Sequence, residues 1–377
     1  MEKKVLIVDD SALMRRMMSD IINSKEYLTV ADTASSGISA LDLLNEGKHY
    51  DIILSDIKMP KMDGVEFLKQ LNHRRIHIPV LIVSSIASES AKETIQALEL
   101  GAFDFVKKPN GSVGKEFREF EQNLITRIYY ACGMYNKELE REPEPKPKRE
   151  PEPKPKKEKI SHPTEDKTSS RSKGGILEVS NKKRDNKSLV VIASSTGGPR
   201  ALQSVIPLFP KDFPYPVVVI QHMPAGFTTS LATRLNEMSP IHVKEAEDGE
   251  LLEPGNVYIA QGGKQCELLQ TGKGVYRISE NDKPARGGLK PCADIFFESL
   301  ADTSIDNLYC IVLTGMGADA SKGIKLVKKQ KNVKVIAQNQ ETCVVYGMPR
   351  AAKMEGIVDY MVPLLDVTAT LIKKIGV

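Results

Sequence analysis

The chain has 377 residues, 41% hydrophobic and 27% charged, a length that suits two ordinary domains and a composition typical of soluble globular proteins. Its formal charge of +4 belongs to one segment: residues 141–187 hold 15 Lys or Arg against 9 Asp or Glu, leaving −2 for the rest, which argues against a nucleic-acid reader. No apolar run approaches the ~20 residues of a membrane span, no export signal precedes the first strand pattern, and five scattered cysteines lack a CxxC pair. A cytoplasmic protein with reduced thiols and no membrane insertion is expected.

Short apolar runs at 5–8, 28–32, 52–54, 80–83 and 103–106 alternate with amphipathic stretches such as 11–22, opened by a Ser11 N-cap, and 36–44. A last helical pattern near 115–130 closes the series. Five βα units of this kind predict a flavodoxin-like, doubly wound parallel sheet over residues 1–125. In such a sheet ligands sit at the carboxyl ends of the strands. Those ends carry Asp9, Asp10, Asp56, Ser84 and Lys108, the last followed by Pro109. Converging carboxylates repel unless a cation lies among them, and oxygen-only ligands favour Mg²⁺. With charge so shielded, a carboxylate can attack phosphorus while a hydroxyl and an ammonium receive the phosphoryl oxygens.

Taken singly, each of these residues reads as an ordinary loop group. Together, and with Met59-Pro60-Lys61-Met62-Asp63-Gly64 just after Asp56, they make residues 1–125 resemble the receiver domain of two-component response regulators. The resemblance implies Asp56 as phosphoacceptor, Asp9, Asp10 and Asp56 around Mg²⁺, Ser84 and Lys108 as phosphoryl partners, and Phe105 in the place of an aromatic switch residue.

Residues 126–187 read as a linker. The octet at 141–148, Arg-Glu-Pro-Glu-Pro-Lys-Pro-Lys, repeats at 149–156, and alternating prolines predict a semi-rigid polyproline II spacer. From 188 to 377 strand patterns return at 189–193, 217–220, 242–245, 257–260, 308–313, 334–337 and 359–362. A hairpin pattern at 266–270 and 275–278 falls among them. A larger α/β domain is predicted, with a mixed, mostly parallel sheet and an antiparallel hairpin.

Its first strand runs into Ser194-Ser195-Thr196-Gly197-Gly198-Pro199, a strand-to-helix turn that exposes a hydroxyl near backbone amides. Ser195 is the candidate nucleophile, and adjacent Ser194 competes with it. His222 ends a strand before Pro224, whereas His242 lies inside a strand pattern, so His222 is the candidate base. Asp319 follows a strand through a Gly-rich turn and is the candidate orienting carboxylate. It also reads as an N-cap for a helix at 321–328. The amides of Thr196 and Met316 are candidate oxyanion donors. The chain order Ser–His–Asp differs from the Ser–Asp–His order of α/β-hydrolases. A nucleotide site is weak here, because the glycines lack a following Gly-Lys-Ser/Thr.

These motifs resemble the chemotaxis protein-glutamate methylesterase (CheB) family, as do Gln338, the run Val344-Val345-Tyr346-Gly347-Met348-Pro349-Arg350 and the order receiver, linker, catalytic domain. The resemblance implies a Ser195–His222–Asp319 triad, glutamate γ-methyl esters and glutamines of methyl-accepting chemotaxis receptors as substrates, and a chemotaxis histidine kinase as phosphodonor. It implies no cofactor for the hydrolase site. Ala193 and Ala320 stand where the family has glycine; both changes are small, and activity is expected to survive them.

Overall fold

In the N-terminal part, strands β1 (Lys3–Val8), β2 (Leu28–Ala34), β3 (Ile52–Asp56), β4 (Val80–Ser84) and β5 (Asp104–Lys107) pair only in parallel, in the order β2-β1-β3-β4-β5. Helices α1 (Ala12–Asn23), α2 (Gly37–Asn45), α3 (Gly64–His73), α4 (Ser88–Glu99) and α5 (Lys115–Ala131) alternate with them. Because helices cover both faces, β3 and β4 are buried at every residue, which is why they read as unbroken apolar runs. Ser11 caps α1 as expected, and Ser36 opens α2 with a capping box to Ser39. The computed structural model describes residues 2–85, 88–109, 111, 114–134 and 187–376. The proline repeat at 141–156 lies outside them. Of the residues grouped with the linker by sequence, 126–131 complete α5 and 132–134 form the turn after it, and Ile128 and Met134 are buried in the N-terminal core.

The second part contains β6 (Ser188–Ser194), α6 (Gly198–Val205), β7 (Val217–Gln221), α7 (Phe227–Met238), β8 (His242–Glu245), β9 (Asn256–Ile259), β10 (Gln265–Gly272) and β11 (Val275–Asn281). It continues with α8 (Ala293–Ser299), β12 (Asn307–Val312), α9 (Ser321–Val327), β13 (Asn332–Gln338), α10 (Met348–Met354), β14 (Tyr360–Val362) and α11 (Val367–Ile375). Seven strands form one sheet, β14-β13-β12-β6-β7-β9-β8, with every pairing parallel. The mixed sheet is therefore a parallel sheet plus a separate two-stranded one, β10-β11, which holds the hairpin. In both large sheets the first strand lies between strands that follow it on either side. Such a switch point leaves a crevice at the strand's carboxyl end.

The two parts share an apolar cluster. Ile95, Leu98 and Phe105 from the first join Leu202, Phe227 and Leu231 from the second, with α4 packed against α6 and α7. Polar bonds frame this seam: Arg234 Nε donates to Glu99 Oε1 at 2.6 Å, and Gln203 Nε2 donates to the same oxygen at 3.0 Å. All five cysteines are free thiols. Among the described residues no helix is long and apolar enough to cross a membrane.

Ala320, the residue ahead of α9, has φ +79°, in the left-handed region. That backbone costs an L-residue about 1–2 kcal/mol. Glycine relieves this but loses a buried methyl (about 0.8 kcal/mol) and gains roughly 0.5–1 kcal/mol of unfolded-state freedom. Ala320→Gly should therefore stay within about 1 kcal/mol of the parent, whereas Ala320→Val should cost about 2 kcal/mol or more in urea unfolding.

Candidate active site

The catalytic rim is assembled by backbone bonds that continue past the end of β6. His222 N donates to Ser194 O and Ser195 N donates to Thr314 O, each at 3.1 Å, so the segments after β7 and β12 stay registered on either side. Gln221 Nε2 donates to the carbonyls of both Ser195 and His222, at 3.0 and 3.1 Å. Thr314 Oγ1 ties the second flank to Thr196 O at 2.9 Å. Two glycines permit this closeness. A Cβ at Gly198 would collide with Gln221 Oε1, and one at Gly315 would sit 2.8 Å from Ser195 Cβ. Gln338 supports the Thr314 turn by accepting its N–H at 2.8 Å, and Gly347 and Met348 donate to Gly315 O.

The two serines are separated by strand alternation. Ser194 is fully buried and donates to Gln221 Oε1 at 2.6 Å, while Ser195 is half-buried and its hydroxyl makes no hydrogen bond among the described residues. His242 is exposed, with its ring against Asn256 Oδ1 at 2.8 Å. His222 Nε2 lies 2.8 Å from Asp319 Oδ2. The amides of Thr196 and Met316 have no acceptor among the described residues.

Asp319 caps a helix, but not the one expected from sequence. Position Ala320 precedes α9 without any side-chain cap, and the Asp319 carboxylate instead receives the first amides of α8, Ala293 N at 2.6 Å and Asp294 N at 2.9 Å. Cys292 Sγ adds a third donor from that helix start, 3.2 Å from Oδ1. Burial opposes ionisation of Asp319, yet His222 and these amides outweigh it and hold the carboxyl well below the usual range. Burial, with Asp319 alongside, pushes the Cys292 thiol up to about 12, so it remains a donor. Gln265 fixes this helix start in turn, its Oε1 accepting Cys292 N at 2.9 Å. Neither Cys292 nor Gln265 carries a local sequence signal, since both reach Asp319 only through the tertiary fold.

At the N-terminal switch point the ligand oxygens of Asp9, Asp10 and Asp56 lie within 4.8 Å of one another. Lys108 Nζ donates to Asp56 Oδ2 at 2.6 Å. It stands 2.8 Å from Asp9 Oδ2, but outside hydrogen-bond geometry, so that buried oxygen lacks a hydrogen-bond partner. Burial raises the Asp56 carboxyl against the pull of Lys108. Three carboxylates served by a single ammonium form a hard, all-oxygen donor set that fits Mg²⁺. Ser84 is not joined to Asp56: its hydroxyl donates to Ser85 O at 3.2 Å, with Thr94 Oγ1 at 2.9 Å.

The two sites meet through β5. Asp104 Oδ2 accepts Thr196 Oγ1 at 2.6 Å and Arg127 Nε at 3.0 Å, and the Phe105 ring packs on Phe227 with centroids 4.5 Å apart. A cavity of about 400 Å³ runs between the parts, lined by Phe105, Lys108 and Arg127 on one side and His222, Met223 and Lys290 on the other.

A parallel phosphoacceptor-type sheet joined to a second α/β domain with a serine, histidine and carboxylate on its rim defines a receiver-coupled hydrolase class. Comparison with known proteins agrees: residues 5–113 match the response regulator receiver domain and residues 190–371 the CheB methylesterase domain. The protein-glutamate methylesterase/protein-glutamine glutaminase 1 of Syntrophomonas wolfei is 39% identical over 99% of both chains. The protein-glutamate methylesterase/protein-glutamine glutaminase of Bacillus subtilis is 39% identical over 98% of this chain and 97% of its own. The crystal structure of the Thermotoga maritima CheB methylesterase catalytic domain is 44% identical, covering 49% of this chain and 97% of that one, with a TM-score of 0.48. The chain belongs to the protein-glutamate methylesterase/protein-glutamine glutaminase family.

The helix-start donors give a direct test. A depressed carboxyl contributes stability that is complete above its unfolded pKa of about 3.9 and is lost as pH falls through the folded value. Cys292→Ala removes one donor, worth about 1 kcal/mol, and should raise the Asp319 carboxyl midpoint by about 0.7 units in a ¹³C NMR titration. Cys292→Ser, which keeps a donor, should leave that midpoint low.

Proposed function

We propose that the protein is a phosphorylation-activated hydrolase. It demethylates glutamate γ-methyl esters, and deamidates specific glutamines, on methyl-accepting chemotaxis receptors, serving sensory adaptation in the cytoplasm. The observation that carries this reading is the His222–Asp319 pair on the same sheet rim as the half-buried Ser195, registered to it by main-chain bonds on both sides. Asp319 is ionised and accepts, so His222 Nε2 carries the proton and Nδ1 is the nitrogen left to act as base.

Ser195 Oγ attacks the ester carbonyl and its proton passes to His222. The oxyanion takes the unpaired N–H groups of Thr196 and Met316, each such donor being worth about 10²–10³ in rate. His222 returns the proton to the leaving oxygen and methanol departs; for a glutamine the leaving group is ammonia. Water, deprotonated by His222, then cleaves the acyl-serine to give the glutamate carboxylate and restore Ser195. Throughout, Asp319 holds the imidazole in place and offsets its charge.

In the receiver part, Asp9, Asp10 and Asp56 would hold Mg²⁺. That ion supplies charge neutralisation for an incoming phosphoryl group. Asp56 is the acceptor for a phosphoryl group from a chemotaxis histidine kinase, with Lys108 and Ser84 as its partners. Lys108 lies one residue beyond β5, the strand whose Asp104 bonds Thr196 beside the nucleophile. This continuity supports a switch in which the unphosphorylated receiver covers the rim and phosphorylation at Asp56 loosens the seam.

Methanol release from methylated receptor membranes, with Mg²⁺ and a small phosphodonor, tests the reading. Wild type should be stimulated, Ser195→Ala should lose about 10³-fold or more, and Asp56→Asn should keep basal activity without stimulation. Equal stimulation of Asp56→Asn would remove the switch from the account. Arg234→Ala, which breaks the bond to Glu99, should raise unphosphorylated activity several-fold; a decrease would mean that the receiver assists the rim instead of covering it.

A further inference from the structure

The seven-stranded sheet has two unlike flanks. On one side α6, α7 and α11 pack in the cluster shared with the N-terminal domain. On the other, α8, α9 and α10 cover a second cluster that includes Phe297, Ile324, Val327 and Ala352 and contains no N-terminal residue. Charge divides along the chain as well. Residues 320–376 hold ten Lys or Arg against four Asp or Glu, and residues 188–319 hold ten against fifteen.

Some of the later lysines serve the fold. Lys328 is taken by Asp359 and the carbonyl of Ile357, and Lys331 by the carbonyls of Thr303 and Ile305. Those along α9, just beyond its end and near the end of α10 are not taken up in this way. Lys322, Lys329 and Lys353 are exposed, and none forms a salt bridge or side-chain hydrogen bond with a described residue, although the charge of Lys322 is felt by Asp294 and Glu355. Lys325 meets Glu355 at 2.6 Å. The hydrogen bond from Lys325, with the charge of Lys322 nearby, holds the Glu355 carboxyl below its usual range, so both ammonium groups lean on one acid. Leu326 and Met354 stand exposed among them, Met354 to 74%.

We infer that this ridge, Lys322, Lys325, Lys329 and Lys353 with Leu326 and Met354, docks an acidic segment of the protein substrate. The inference rests on the proposed reaction. Each turnover leaves a carboxylate where a neutral ester or amide stood on the same partner, so a partner with several such sites gains negative charge around those still to be processed. Complementary charge steers such encounters and fixes their register. Lys322 lies three residues after Asp319, so a segment laid along α9 leads to the catalytic rim. The ridge also lies on the flank opposite the N-terminal domain, which leaves it accessible while the rim is covered. Exposed ion pairs are individually weak, and the apolar pair supplies contact that salt does not screen.

The test uses the full-length protein with Lys322, Lys329 and Lys353 all changed to Glu, and a second variant with all three changed to Gln. Methylated receptor in zwitterionic lipid nanodiscs is one substrate; a short peptide with one glutamate methyl ester and no acidic neighbours is the other. The Glu variant should raise KM for the receptor about tenfold at about 50 mM salt, with the gap closing near 500 mM. The Gln variant should fall between, and peptide hydrolysis and kcat should change less than about twofold. An unchanged receptor KM, or an equal loss on both substrates by the Gln variant, overturns the inference. So does a KM effect seen only when the discs contain anionic lipid, since the ridge then reads headgroups. A wild type that acts on the peptide but never on receptor discs removes the functional reading itself, and the inference with it.

Discussion

The structure depends most on parallel pairing carried beyond the end of β6. Ser194 O and Ser195 N each find a partner on a different neighbouring segment, so the residues after three strands are set by main-chain bonds before any side chain is placed. Catalysis by a serine, a base and a carboxylate tolerates little positional error, since an ångström of misplacement can cost about 10²-fold. Here the tolerance is supplied by the sheet itself. Gln221 reinforces it by bridging the main-chain carbonyls of Ser195 and His222, the proposed nucleophile and base. Buried amide side chains that are fully bonded rigidify their surroundings, and this one is 1% exposed.

The N-terminal sheet repeats the same geometry for a different chemistry. Its switch point gathers carboxylates where the second domain gathers a hydroxyl and an imidazole. β5 joins the two. Four residues separate Asp104 from Lys108, roughly 13 Å of extended chain at the usual strand rise, and that span runs from the Thr196 hydroxyl to the Asp56 carboxylate. Under the proposed switch, one short strand thus joins the surroundings of Asp56 to those of Ser195, with no chain of loose loops between them.

Much of this was legible in the sequence because both large sheets are parallel and covered on two sides. Their strands become short apolar runs, and the chemistry collects at the run ends, where Asp9, Asp56, Lys108, Ser195 and His222 all stand. Ser194 and Ser195 were not separable by pattern alone; the two-residue period of β6 turns the first inward to Gln221 and leaves the second at the rim. The hairpin was visible from its turn, but a turn does not say which sheet its strands will join, and β10 and β11 form their own two-stranded sheet apart from the seven-stranded one. By sequence Asp319 reads as an orienting carboxylate or, alternatively, as a cap for the helix next to it. Its actual amides come from Ala293 and Asp294, 26 and 25 residues back in the chain, a relation that no local pattern encodes. The alanine after it was visible as a departure from the family, but the left-handed backbone that makes glycine the natural choice there was not.

Phe105 belongs to both domains at once, being core for the first and packing partner of Phe227 for the second. A residue shared in this way binds two equilibria together. Under the proposed switch, whatever free energy phosphorylation spends on separating the domains, separation returns to phosphorylation, because linkage between two binding events has no preferred direction. The hydrolase is then more than the receiver's output: docked on β5 and α4 it acts as a ligand selecting the receiver's resting form, and substrate that draws it away makes Asp56 easier to load.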